Sequence, residues 1–301
     1  MNKFVKLLLL LVTCIFSASL TYAQSCMCEV SLNKEKDYDK LLELNSEAQT
    51  KSQTRDLPWG IPTSISNATH EHALYQEEWI TWYDDDLRIP LWAAYQLKAQ
   101  DVISRPRTDC FRKDPRLNND VAAFCQDYDE PIFDRGHLVP RADMNRSEAA
   151  MINTFTFSNM TPQFHAFNTG IWERLETMVR NWAKTNKEIY VITGSIFDKN
   201  GDQKRDPDNE ADLVEPRKKV SIPTHFYKIV VRKKQDGKLE AIALTLPHTK
   251  QAITSNQTKT YLTSKIVSIR DIEKVTGINF FPDLNQQEQD VLETSKAPRL
   301  W

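Results

Sequence analysis

Two segments about thirty residues apart hold the groups that hydrolysis of a phosphodiester needs: Asp134-Arg135-Gly136-His137-Leu138-Val139-Pro140-Arg141-Ala142 and Asn168-Thr169-Gly170-Ile171-Trp172-Glu173-Arg174-Leu175-Glu176. The reaction calls for a base to take a proton from water, a cation against the developing negative charge, and help for the departing oxygen. His137 is the base candidate, because neutral imidazole with a pKa of ~6.5 accepts a proton near physiological pH. Gly136 beside it permits close backbone approach or an unusual dihedral. Asn168 stands where a helix should begin. It is either an N-cap or a metal ligand through its side-chain oxygen, a hard donor suited to Mg2+, and both roles put it at the helix end that favours an anionic phosphate. Trp172, Glu176 and Arg180 follow at steps of four and share one side of that helix. Helical side chains lean toward the N-terminus, so Glu176 reaches back toward Asn168. Two turns still separate them, and Glu176 is expected to act through water around the ion. Arg180 either pairs with Glu176 at i,i+4 or contacts phosphate.

The elements that must position these groups follow from the hydrophobic pattern. Residues 169–184 carry a helical period with Ile171, Leu175, Met178, Val179 and Trp182 on the apolar face. Trp79-Ile80-Thr81-Trp82-Tyr83 and Pro90-Leu91-Trp92-Ala93-Ala94-Tyr95 read as two strands joined by Asp84-Asp85-Asp86, an acidic stretch expected to be a solvated turn because no EF-hand spacing follows. Residues 189–192, 226–231 and 241–246 read as buried strands, and 269–275 as a helix stopped by Gly277. Residues 105–130 form a long irregular loop. Strands and helices that do not alternate regularly indicate an α+β domain. His70-Glu71-His72 hints at a transition-metal site, but no third ligand is evident in the sequence.

The 301-residue chain opens with Lys3 and Lys6 ahead of the apolar run Leu7 to Phe16 and a small-residue ending at Ala23. Residues 1–23 are expected to be a secretory signal, with no stable membrane anchor. Residues 24–70 are polar and expected to be a loosely structured lead-in, and 71–301 a single domain. Without Cys14, four cysteines remain, an even count that favours disulfides in an exported chain. Cys110 and Cys125 are the expected pair, closing a loop worth about 3 kcal/mol; the state of Cys26 and Cys28 is open. The formal net charge of −2 becomes −4 without Lys3 and Lys6, which argues against a broad nucleic-acid-coating surface. An enzyme that engages a few phosphates through a metal and chosen arginines does not need one.

The ordered set of motifs resembles the DNA/RNA non-specific endonuclease family, which includes mitochondrial endonuclease G. The residues that carry the likeness are Asp134-Arg135-Gly136-His137 with Leu138 and Ala142, Ser158-Asn159-Met160-Thr161-Pro162-Gln163, and Asn168 with Trp172, Leu175 and Glu176. It extends through residues 189–194 and 223–228 to Thr276-Gly277-Ile278-Asn279-Phe280-Phe281-Pro282-Asp283-Leu284. The resemblance implies a ββα-metal (His-Me finger) site on a central antiparallel sheet flanked by helices. It also implies His137 as general base, Asn168 as the only direct protein ligand of a hydrated Mg2+ (Mn2+ as substitute), and Glu176 holding the ion's waters. Arg135 and Arg180 match family arginines that support the site or the transition-state phosphate. Arg107 corresponds to another phosphate-binding arginine, with Arg105 and Arg112 as competitors. DNA and RNA are the implied substrates and 5'-phosphate and 3'-hydroxyl ends the implied products; a homodimer is left open. The rival readings are a phosphodiesterase on small nucleotides and an inactive binding module of the same fold.

Overall fold

The run Phe226-Tyr227-Lys228-Ile229-Val230-Val231 is buried at every position, which an antiparallel strand permits only when both of its faces are covered. Alternation sends Phe226 and Val230 into one apolar cluster and Tyr227, Ile229 and Val231 into another on the opposite side. The computed structural model describes residues 28–64 and 69–301. The signal expected at 1–23, and Cys26, lie outside the described residues. Nine of the eleven described strands fall in two groups: a seven-stranded antiparallel sheet of order β10-β9-β8-β7-β4-β3-β2 and the hairpin β5-β6; β1 pairs β11 in the remaining small ribbon. The large sheet comprises β2 (Glu71–Tyr75), β3 (Ile80–Asp84), β4 (Ile89–Lys98), β7 (Glu188–Ile196), β8 (His225–Lys233), β9 (Leu239–Pro247) and β10 (Ile266–Val267). The hairpin is β5 (Phe133–His137) with β6 (Met160–Phe164), and the ribbon is β1 (Thr63–Ser64) with β11 (Ile278–Asn279).

Among the described residues seven α-helices accompany the sheet: α1 (Leu32–Lys40), α2 (Ser46–Asp56), α3 (Glu148–Asn153), α4 (Glu173–Asn186), α5 (Thr258–Ser264), α6 (Ile269–Thr276) and α7 (Gln286–Thr294). Helix α4 buries Leu175, Val179, Trp182 and Ala183 against the face that carries Phe226 and Val230. A fully buried Val or Leu contributes about 1.5–3 kcal/mol. On the opposite face Ile269 and Ile272 of α6 and Leu292 of α7 join Tyr227 and Ile229. The α+β architecture, the strands around 80–95, 189–196, 225–233 and 239–247, and the helix ended by Gly277 (φ 70°) agree with the periodicity.

Three expectations are corrected. Residues 32–56 are not loosely structured but form α1 and α2. Helix α1 buries nothing and α2 buries only Ser52 and Asp56, so there was no apolar period to read. Polar ties hold them: Ser52 Oγ donates to the Gln76 carbonyl (2.8 Å), Gln96 N–H to Asp56 (3.0 Å) and Arg112 Nε to Asp39 (2.8 Å). Cys110 bonds to Cys28, not to Cys125, and Cys125 is itself disulfide-bonded; the covalent link therefore fastens the start of the described chain across 82 residues instead of closing a local loop. The acidic triplet is not a wholly solvated turn, because Asp84 is fully buried, accepts the N–H groups of Asp86 and Leu87, and pairs with Arg205 at 3.1 Å. Among the described residues no helix is long and apolar enough to cross a membrane.

Candidate active site

Strand β5 ends at His137, opposite Met160 of β6. Three residues back along the hairpin register, opposite Asp134, Gln163 is packed so tightly that a Cβ on Gly136 would lie 2.2 Å from its Cδ. Gly136 is therefore required by close approach and not by its dihedral. The chain beyond His137 is clamped by the motif residue Asn159. Its backbone carbonyl accepts from Leu138, and its side chain bonds both Val139 N–H (2.9 Å) and Val139 C=O (3.0 Å). The far end of β6 is held by His248, whose Nε2 accepts from Phe164 N–H at 2.8 Å while Nδ1 faces the Pro223 carbonyl at 2.9 Å. His248 was not singled out in the sequence, where a histidine just past a strand carries no signal.

The His137 imidazole stands edge-on to Phe155, ring centroids 4.7 Å apart and planes at 88°, and lies near Phe111. Its Nε2 is buried without a hydrogen-bond partner. Burial, then the charges of Arg107 and Arg141, pull its pKa down to about 3, so the ring is neutral and its proton-accepting nitrogen is uncommitted. Arg107 lies over the Phe155 ring (5.6 Å) and is gripped by Asp109. Of its competitors, Arg112 is buried in bonds to Asp39, Ile152 and Asn153, and Arg105 is bound to the Asn145 carbonyl. Arg135 rests its guanidinium on Phe111, 5.1 Å from the ring centre.

Strand β6 feeds a widened turn, Phe167–Trp172, kinked at Gly170 (φ −106°, ψ −107°), before α4. Asn168 lies inside this turn and caps nothing; Trp172 is the residue that precedes α4. Its Nδ2 donates to Asp134 Oδ2 at 2.9 Å, and His165 Nδ1 lies 3.0 Å from the same carboxylate. Binding the amide by its nitrogen directs its oxygen, the hard donor, away from Asp134. Three residues of strand, about 10 Å, separate Asp134 from His137. A neutral amide oxygen is a hard donor that fits a hydrated divalent cation.

Glu176 is half-buried on α4, and burial pushes its pKa up to about 7 against the opposing charges of Lys228 and Arg180. The expected Glu176–Arg180 pair does not form. Arg180 bonds Asp143 at 2.9 Å and Thr177 at 2.8 Å, and Asp143, fully buried, also accepts from Tyr95 Oη at 2.7 Å. Arg141, present in the first motif but given no role, acts electrostatically on His137 and also on Arg180 and Glu173, so the two flanks fall within one electrostatic neighbourhood. Lys228 was likewise given no role, having no pattern beyond a lysine in an apolar strand.

Away from this region, the third ligand missing for His70 does exist: His70, Asp86 and Asp208 converge, as do His70, Glu71 and Asp84, while His72 faces Asp85. Arg205 already sits among Glu71, Asp84 and Asp208 at 2.9–3.1 Å and supplies the positive charge there.

Residues 61–287 match the family described as DNA/RNA non-specific endonuclease. Nuclease C1 of Cunninghamella echinulata var. echinulata is 34% identical over 220 residues, covering 70% of this chain and 83% of that protein. The mitochondrial nuclease EXOG of Danio rerio is 31% identical over 220 residues, 72% of this chain and 63% of its own. Venom phosphodiesterase 2 of Crotalus adamanteus is 26% identical over 288 residues, 89% of this chain, which spans only 35% of the venom protein's length.

Proposed function

The chain belongs to the DNA/RNA non-specific endonuclease family, and from that membership we propose that it is an exported, Mg2+-dependent endonuclease hydrolysing phosphodiester bonds in DNA and RNA. The observation that carries the reading is the tie between Asn168 and Asp134, which fixes an amide oxygen donor to the strand whose end presents the unpartnered Nε2 of His137.

In this mechanism His137 Nε2 takes the proton from the attacking water. Asn168 Oδ1 would hold the ion and the Glu176 carboxylate would order water around it; the bound Mg2+ would supply charge neutralisation on the transition-state phosphate and help for the leaving oxygen. Arg107 and Arg135 engage the phosphate. Burial first, and then Arg107 and Arg141, depress the basicity of His137 in the free protein, and the phosphodiester anion arriving beside the two arginines offsets their part of that effect. The base therefore strengthens when substrate is in place. Arg180 serves the site by neutralising buried Asp143 and not as the partner of Glu176. Contacts to phosphate and sugar carry little base information, which accounts for weak sequence preference. The bonded cysteines suit an exported protein.

The test is incubation of purified protein with plasmid DNA, RNA and a dinucleotide, each with Mg2+ or chelator, alongside His137→Ala. Internal nicking of polymer that needs Mg2+ and vanishes in folded His137→Ala is expected. The likeness to venom phosphodiesterases makes turnover of the dinucleotide alone the outcome that favours small nucleotides. No turnover leaves a binding module.

A further inference from the structure

Between Phe226 and Val231 strand β8 is apolar except for Lys228, which is 0% exposed. Its Nζ has no hydrogen-bond partner and lies 4.5 Å from the centre of the Trp172 ring. It projects from the face shared with Phe226 and Val230, the face that α4 covers. Burying an ammonium costs several kcal/mol even when it is paired, and apolar replacements of buried ions are often neutral or stabilising. Packing alone therefore does not explain a lysine at this position. Its electrostatic surroundings do. Trp172, on which the ammonium rests, lies four residues and about one helical turn before Glu176, and after burial Glu176 is the charge that acts most strongly on Lys228, and Lys228 the one that acts most strongly on Glu176. Arg180, the cation next to Glu176 in sequence pattern, is committed to Asp143.

We infer that Lys228 is a positioning residue whose ammonium, seated on Trp172, fixes the Glu176 carboxylate as an anion beside the metal position. This rests on the metal-water role of Glu176 proposed above. A cation over an aromatic face is attracted by the ring quadrupole without any directional hydrogen bond. The ammonium thus has a fixed seat while Glu176 keeps its oxygens for water near the ion. Arg180 is hydrogen-bonded to Asp143, so the positive charge that acts most strongly on Glu176 is that of Lys228.

Mn2+ affinity, read by electron paramagnetic resonance on the purified full chain, tests the assignment without turnover. Lys228→Met is expected to weaken Mn2+ binding about 10–100-fold, the usual cost of losing a group that supports a metal site from outside its ligands, and to lower kcat while KM for plasmid DNA holds. Lys228→Arg should recover both within a few-fold. In a Glu176→Gln background Lys228→Met should add nothing. Mn2+ binding as in the unmodified chain by Lys228→Met, or an undiminished effect in the Glu176→Gln background, overturns the inference. Normal Mn2+ binding by Glu176→Gln would instead refute the role given to Glu176. Lys228→Gln is read by the same criteria if Lys228→Met does not fold. If neither uncharged variant folds, the lysine is a folding residue and the inference fails.

Discussion

Replacing Gly136 by alanine places a methyl group against one of the tightest contacts in the site. The added Cβ would lie 2.2 Å from Gln163 Cδ, 2.4 Å from Cγ and 2.5 Å from Oε1. Carbon atoms rest near 3.5 Å, so about 1.3 Å of relief is needed. Gln163 is completely buried and its Nε2 donates to Thr161 at 3.1 Å, which leaves it no open direction to swing. The strain falls on the β5–β6 pairing, and overpacking of this kind costs about 1–3 kcal/mol. For a domain of this size that lowers Tm by about 2–10 °C. Function should suffer more than stability, because His137 is the next residue and a misplacement near 1 Å can cost about 100-fold in rate. Thermal unfolding and plasmid nicking are measured for Gly136→Ala, Gln163→Ala and the pair. Removing the Gln163 side chain vacates the space the methyl needs, so the double variant should recover part of the loss with a coupling of about 1 kcal/mol or more. Unchanged Tm and rate in Gly136→Ala, or strictly additive effects in the pair, would refute the argument from close approach.

Two further outcomes follow from the buried imidazole and the disulfide. His137 has a folded pKa of about 3 against ~6.5 when unfolded, so between those values the unfolded chain binds the extra proton. The stability contributed by the neutral ring is complete above ~6.5 and is lost as pH falls toward 3. Urea midpoints at pH 7 and pH 4.5 should therefore fall further in the unmodified protein than in His137→Phe; parallel losses would show that the ring is not held neutral. Cys28→Ser opens a link spanning 82 residues and should destabilise by about 4.5 kcal/mol on the loop-entropy argument, seen as a lower denaturation midpoint. An unaltered midpoint would mean that α1, α2 and their polar ties retain the segment without it.

The amino-acid order by itself was enough for the family and for most of the scaffold. His137, Asn168 and Glu176 stood out as candidates because the reaction restricts residue type; His137 lies at a strand end, and Asn168 in the turn before the helix that carries Glu176. The strands β4, β7, β8 and β9 and helices α4 and α6 were legible because burial on a sheet face or one helical stripe leaves a period in the sequence. Helices α1 and α2 left none, being held by side-chain hydrogen bonds whose partners lie tens of residues away. The same distance hid the Cys28–Cys110 bond behind the nearer Cys125.

Which charge answers which was decided only by the folded chain. The i,i+4 spacing offered Arg180 to Glu176, but folding brings Asp143 to Arg180 and sets Lys228 on Trp172, where its charge acts on the Glu176 carboxylate. Spacing along a helix fixes which side chains can meet on that helix and says nothing of an oppositely charged group delivered by another strand. Coulomb energy depends on distance and burial in three dimensions, and both are set when the sheet closes against α4.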